Sequence, residues 1–137
     1  MNRDFIVAEA RRWKGTPFSH QGRVLGKRVD CVGLISMVAR AAGAKSRDVA
    51  NYTDNPDPIE MKAILDRELI NIPIADAKPG DIFWMIYGSP KPRHLAIFTG
   101  TGIIHAYSQN GAVVEHELDE KWRRRVRAVY RYPGIEE

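Results

Sequence analysis

His94-Leu95-Ala96-Ile97-Phe98-Thr99-Gly100-Thr101-Gly102-Ile103-Ile104-His105-Ala106-Tyr107 reads as two strands joined by a tight turn, and the architecture follows from it. Apolar and β-branched residues fill both arms, and the Thr-Gly-Thr-Gly between them supplies the turn. If Thr99 to Gly102 closes the hairpin with Phe98 opposite Ile103, then Ala96 faces His105 and His94 faces Tyr107. His94 and His105 would then leave the same face as diagonal neighbours, roughly 7 to 8 Å apart at the backbone and with their rings in reach of each other. A slip of one residue would put them on opposite faces.

Working outward, the same period of two recurs at Ile82 to Tyr87, Ala112 to Leu118 and Val126 to Tyr132. Lys78-Pro79-Gly80-Asp81 is a turn ahead of the first of these. Gln109-Asn110-Gly111 predicts a two-residue Asn-Gly turn, whose register would set His116 opposite His105. Upstream of residue 70 the period is helical. Ile6, Ala10 and Trp13 fall at i, i+4 and i+7, with Asp4 as N-cap and Gly15 past the end. Gly15 to Val29 is rich in Gly and basic residues and reads as a loop. From Cys31 to Ala42, Val32, Leu34, Ile35, Val38, Ala39 and Ala42 mark a mostly buried helix, capped by Asp30 and stopped by Gly43. Asp57-Pro58-Ile59-Glu60 opens a third helix, with Pro at its first position. Helices followed by a strand meander predict an α+β fold, the helices against one face of a five- to six-stranded antiparallel sheet. Residues 1–137 read as one domain, without repeat or linker.

Composition narrows the function classes. The chain has 137 residues, 44% of them apolar and 28% charged, which suits a globular fold of a size that needs no covalent staples. One cysteine excludes a disulfide framework and thiolate metal clusters. No apolar run is long enough to span a membrane, and the Met1-Asn2-Arg3-Asp4 start leads into no apolar signal core, so synthesis as a soluble cytoplasmic product is expected. The net charge of +4 is local. Lys121, Arg123, Arg124, Arg125, Arg127 and Arg131 stand in residues 121 to 131 without an acid, leaving the rest of the chain slightly acidic. No recognition helix or aromatic-rich sheet motif accompanies the run, so nucleic acid is not expected. A charged, solvated strand edge is the simpler reading.

Asp30-Cys31-Val32-Gly33-Leu34-Ile35 sets a thiol in the first turn of a helix. Unpaired N–H groups and the positive end of the helix dipole favour a thiolate there, so a lowered thiol pKa is expected, and the same N–H groups suit an oxyanion. Burial as a small apolar residue is the alternative. A reactive Cys needs a base with an orienting partner, and His94 with His105 has that geometry. Three histidines on one face also suit a three-His metal site, but the spacing is far less specific than His-Glu-x-x-His. His20 and His116 read as surface residues.

The ordered set Gly15-Thr16-Pro17-Phe18, Asp30-Cys31-Val32-Gly33-Leu34-Ile35, Pro79-Gly80-Asp81-Ile82, His94-Leu95-Ala96-Ile97-Phe98 and Ile104-His105-Ala106 resembles the NlpC-type cell-wall cysteine peptidases of the papain-like superfamily. Phe18-Ser19-His20-Gln21-Gly22-Arg23 is most similar to the branch found in phage and gene-transfer-agent tails. The resemblance runs from about Phe5 to Tyr132. It implies Cys31 as nucleophile, His94 as general base and then acid, and His105 as the residue that orients His94. It also implies peptidoglycan stem peptides as substrate, usually cut between D-γ-glutamate and a diamino acid, phage tail proteins as partners, and no metal or organic cofactor. Action at the cell wall after delivery by a phage-like particle would follow.

The sequence departs from that pattern twice. Phe18 stands where many members have a Tyr whose hydroxyl assists the oxyanion, with Ser19 or a backbone N–H as substitute donors. Val32 follows the Cys where many have Ser, beside the pocket for the substrate's N-terminal end. Asp30, Phe18, Ser19 and Val32 are thus the candidate oxyanion or substrate-binding residues. The departures also keep open an inactive structural tail-tip protein of the same fold. An acyltransferase on lipid or small amides is disfavoured, because Cys31 precedes His94 in the chain.

Overall fold

The computed structural model describes residues 1–44, 48–49, 52–53 and 56–136. Its elements follow the expected order, helices first and a meander after. Helix α1 (Arg3–Arg12) buries Ile6, Val7 and Ala10 on one stripe. Its N-cap is Asn2, not Asp4: the Asn2 side chain accepts from the Phe5 N–H at 2.7 Å, and Asp4 lies in the first turn, where its charge suits the helix dipole. Two short strands, β1 (Arg23–Val24) and β2 (Arg28–Val29), pair antiparallel inside the stretch expected to be loop, about a turn containing Gly26 at φ 77°. Two-residue strands are too short to carry a period.

Helix α2 (Cys31–Ala42) begins and ends where the sequence puts it, capped by Asp30 and closed by Gly43 at φ 79°. Helix α3 (Pro58–Glu68) has Asp57 as N-cap and Pro58 in its first turn. Then come β3 (Ile70–Ile72), a 3₁₀ turn (Ile74–Asp76), β4 (Ile82–Ile86), β5 (Pro92–Phe98), β6 (Gly102–Tyr107), β7 (Ala112–Glu117), α4 (Glu120–Arg123) and β8 (Val126–Arg131).

The main sheet is six-stranded and antiparallel, in the order β3-β8-β4-β5-β6-β7. Strand β8 is therefore interior, and the basic run does not guard a sheet edge. β3 pairs along its outer side. Arg131 turns inward: its guanidinium meets Asp81 at 2.9 and 3.0 Å, and Arg3 reaches the same carboxylate at 3.0 Å. Asp81 is fully buried and also accepts from the Lys78 N–H, so a dense network of charge-assisted bonds fastens both chain ends to the Pro79-Gly80-Asp81 turn.

Strand alternation sorts the apolar residues into two cores. Ile82, Trp84, Leu95, Ile97, Ile104 and Ala106 pack with Ile6, Ala10, Leu34 and Val38 of the helices. Phe83, Met85, Ala96, Ile103 and Val129 form a second cluster on the opposite face, with Leu118 and Trp122. The short helix α4 therefore covers the face that the three long helices leave.

Candidate active site

Asp30 fixes the start of α2. Its buried carboxylate accepts from the Gly33 and Gln21 N–H groups, each at 2.7 Å, from Arg23 Nη1 at 3.2 Å and from the Tyr52 hydroxyl. Gly33 is required for this knot: a Cβ there would stand 2.3 Å from the Gly22 carbonyl oxygen and 2.6 Å from Arg23 Nη1. Cys31, half-buried, follows as the first helical residue.

The thiol does not behave as its helix position alone would have it. Backbone N–H groups of Leu95, Val32 and Cys31 favour the thiolate, but burial first and the Asp30 charge second outweigh them, pushing the pKa up to about 12. Taking the sulfur out of water disfavours the thiolate by more than the helix N-terminus favours it.

The hairpin has the expected register near its turn, Phe98 opposite Ile103 and Ile97 opposite Ile104. The ladder between β5 and β6 ends there, and a cleft of about 400 Å³ is lined by His94 and Ala106 from these two strands together with Cys31. Phe18, Asp30, Val32, His20, Tyr52 and Tyr87 line the same cleft. Ser19 is exposed and outside that lining. His20 is exposed too, with Nδ1 3.9 Å from the Asp30 carboxylate.

His94 and His105 share one face, as the register required: His94 Nε2 lies 2.7 Å from His105 Nδ1. Both are buried, 6% and 0% exposed. Burial lowers the His94 pKa to about 4, with a smaller push from the Arg125 charge. Burial lowers that of His105 to about 2, with His94, His116 and Arg125 adding to it. The resting pair is thus a neutral thiol and a neutral imidazole at physiological pH.

His116 corrects two expectations. Tyr107 pairs with Ala112, so β6 and β7 are joined by residues 108–111 rather than by a two-residue turn, and His116 lies opposite Ile103, not His105. A two-residue Asn-Gly turn needs positive φ at both positions, and only Gly111 has it. A shift of two residues keeps the face, however. His116 is half-buried rather than a free surface residue, and its Nε2 lies 2.8 Å from His105 Nε2. Trp122 packs over both rings, 5.1 Å from His105 and 4.7 Å from His116 between centroids. Among the described residues no group of three or more His, Cys, Asp and Glu side chains is arranged to hold a metal ion.

Tyr52 and Trp122 were not legible as site residues. Tyr52 is distant in sequence and reaches the cleft through its bond to Asp30, and Trp122 sits inside the basic run.

The model of the NlpC/P60 family matches residues 15–131. The tail tip assembly protein K of Escherichia phage lambda is 28% identical over 107 residues, covering 75% of this chain and 53% of that protein, so the chain spans about half the length of this curated relative. Among solved structures, the NlpC/p60 domain of the peptidoglycan hydrolase SagA superposes with a TM-score of 0.68 at 26% identity, over 95% of this chain and 98% of that one. A lipoprotein-like NLP/P60 protein of Staphylococcus aureus gives a TM-score of 0.70 at 21% identity, covering 98% of this chain and 42% of that one.

Proposed function

Because the chain belongs to the NlpC/P60 family, we propose that it is a cysteine endopeptidase that hydrolyses peptidoglycan stem peptides, one peptidase domain using Cys31, His94 and His105. The observation that carries the reading is the meeting of Cys31 and His94 in one cleft while His94 Nε2 is held by His105 at 2.7 Å. With Nε2 committed, Nδ1 is the nitrogen of His94 left to serve the cleft.

The reaction starts from the neutral pair. As Cys31 Sγ attacks the amide carbon, its proton passes to His94, so that no free thiolate has to be formed beforehand. The oxyanion is held by N–H groups at the start of α2. His94 then gives its proton to the leaving amine, and water, deprotonated by His94, releases the acyl group from sulfur. Phe18 lines the cleft but has no hydroxyl to offer the oxyanion, and the Tyr52 hydroxyl donates to Asp30.

The bond cut is that between D-γ-glutamate and the diamino acid, and the setting is a phage or gene-transfer-agent tail that brings the enzyme to the cell wall. The relative in the lambda tail tip supports the setting. That relative and Phe18 also favour a second reading, a tail-tip protein of this fold with weak or no activity. Mass spectrometry of muropeptides digested by the purified protein tests both. New amine and acid ends from wild type, absent with Cys31→Ala, are expected; intact muropeptides under reducing conditions would favour the structural reading.

A further inference from the structure

We propose that His116 is a positioning residue that sets the tautomers of His105 and His94 from behind. Its consequence for rate rests on the peptidase reading above; its geometry does not. His116 Nδ1 lies 2.9 Å from the Glu117 carbonyl oxygen. A carbonyl only accepts, so Nδ1 carries the hydrogen, and in the neutral ring Nε2 is left as a lone pair. That lone pair faces His105 Nε2 at 2.8 Å, which must therefore be the N–H. His105 Nδ1 is then the acceptor, and His94 Nε2, 2.7 Å away, the donor.

The chain ends with a lone pair on His94 Nδ1, the form that can take the Cys31 proton. One backbone carbonyl of β7 thus dictates the protonation pattern of three rings. Without His116, His105 Nε2 has no fixed partner and either tautomer of the buried pair satisfies the bond between them. Trp122 holds the relay in place by packing on both His105 and His116. His105 lies at an angle of 73° to His116 and 70° to His94, so the nitrogens meet edge to edge rather than by stacking.

The relay predicts opposite outcomes for two substitutions of similar polarity. His116→Glu offers only acceptors and preserves the direction of the chain. His116→Lys offers only donors: His105 would accept at Nε2 and donate from Nδ1, and His94 would accept at Nε2 and carry its hydrogen on Nδ1, where it cannot take the thiol proton. Long-range ¹⁵N–¹H spectra read the tautomers directly and need no substrate. His94 protonated at Nε2 is expected in wild type and His116→Glu, and at Nδ1 in His116→Lys. On muropeptides, kcat is expected to fall about a hundredfold in His116→Lys and to stay within about threefold in His116→Glu, with KM little changed.

His94 still protonated at Nε2 in folded His116→Lys, or equal kcat in the two variants, would overturn the proposal. Should the Lys variant not fold, His116→Leu removes both donor and acceptor, and mixed His94 tautomers are expected; a single Nε2–H form would count against the relay. If wild type cleaves no muropeptide, the spectra still decide the relay, and only the proposed activity fails.

Discussion

The guanidinium carbon of Arg125 lies 4.2 Å from the centre of the Trp122 ring. Trp122 in turn packs on His105 and His116, so a residue of the basic run ends as a charge behind the histidine relay. It disfavours an imidazolium on His94 and on His105. Arg125→Gln is therefore expected to raise the His94 pKa above about 4. Since the neutral imidazole is the active form, the acid limb of kcat/KM should move to higher pH. An unchanged limb in the measured pH profile would show that Arg125 acts only as a cover for Trp122.

The same depressed pKa values shape stability. Unfolded imidazoles titrate near 6.5, and folded His94 only near 4 and His105 lower still. Between these limits the unfolded chain binds protons that the folded chain refuses, so stability should fall as pH drops from about 6.5 toward 4. The slope approaches about 1.4 kcal/mol per pH unit for each histidine. Urea midpoints measured across that window check it, and His105→Gln should flatten the curve. Midpoints that do not depend on pH in wild type would contradict the burial of these rings.

Asp81 joins two arginines from opposite chain ends in a buried site. Asp81→Ala leaves Arg3 and Arg131 without their shared acceptor and should cost about 3 to 5 kcal/mol, read from urea unfolding. A loss below about 1 kcal/mol would mean that water reaches both guanidinium groups.

Gly33 tests the close approach at the start of α2. Helix propensity favours Ala over Gly by about 1 kcal/mol, yet the Cβ would meet the Gly22 carbonyl and Arg23. Gly33→Ala should therefore destabilise the protein, and it should also lower activity by moving Asp30 and Cys31. A stabilised variant in thermal unfolding would show that the segment around Gly22 yields freely.

Much of this protein is written locally. The caps Asp30, Asp57 and Gly43, the turn at Thr99 to Gly102 and the spacing of His94 and His105 each act within a few residues, and the structure has them where the sequence predicts them. With the register fixed by that turn, the period of two sets His94 and His105 on one face. Residues that act across the fold were not legible in this way. The β8 strand looked like a charged edge, but β3, too short to show a pattern, covers it. His116 looked like a surface residue, but a four-residue loop and the Trp122 ring bring it onto His105.

The Cys31 thiol marks the boundary most clearly. Its place at the head of a helix, where the dipole favours a thiolate, follows from its neighbours in the chain. How much water the sulfur and His94 retain depends on everything packed around them, and desolvation there outweighs the dipole and leaves both groups neutral. Burial is a sum over the whole fold, whereas capping and periodicity are sums over neighbours in the chain.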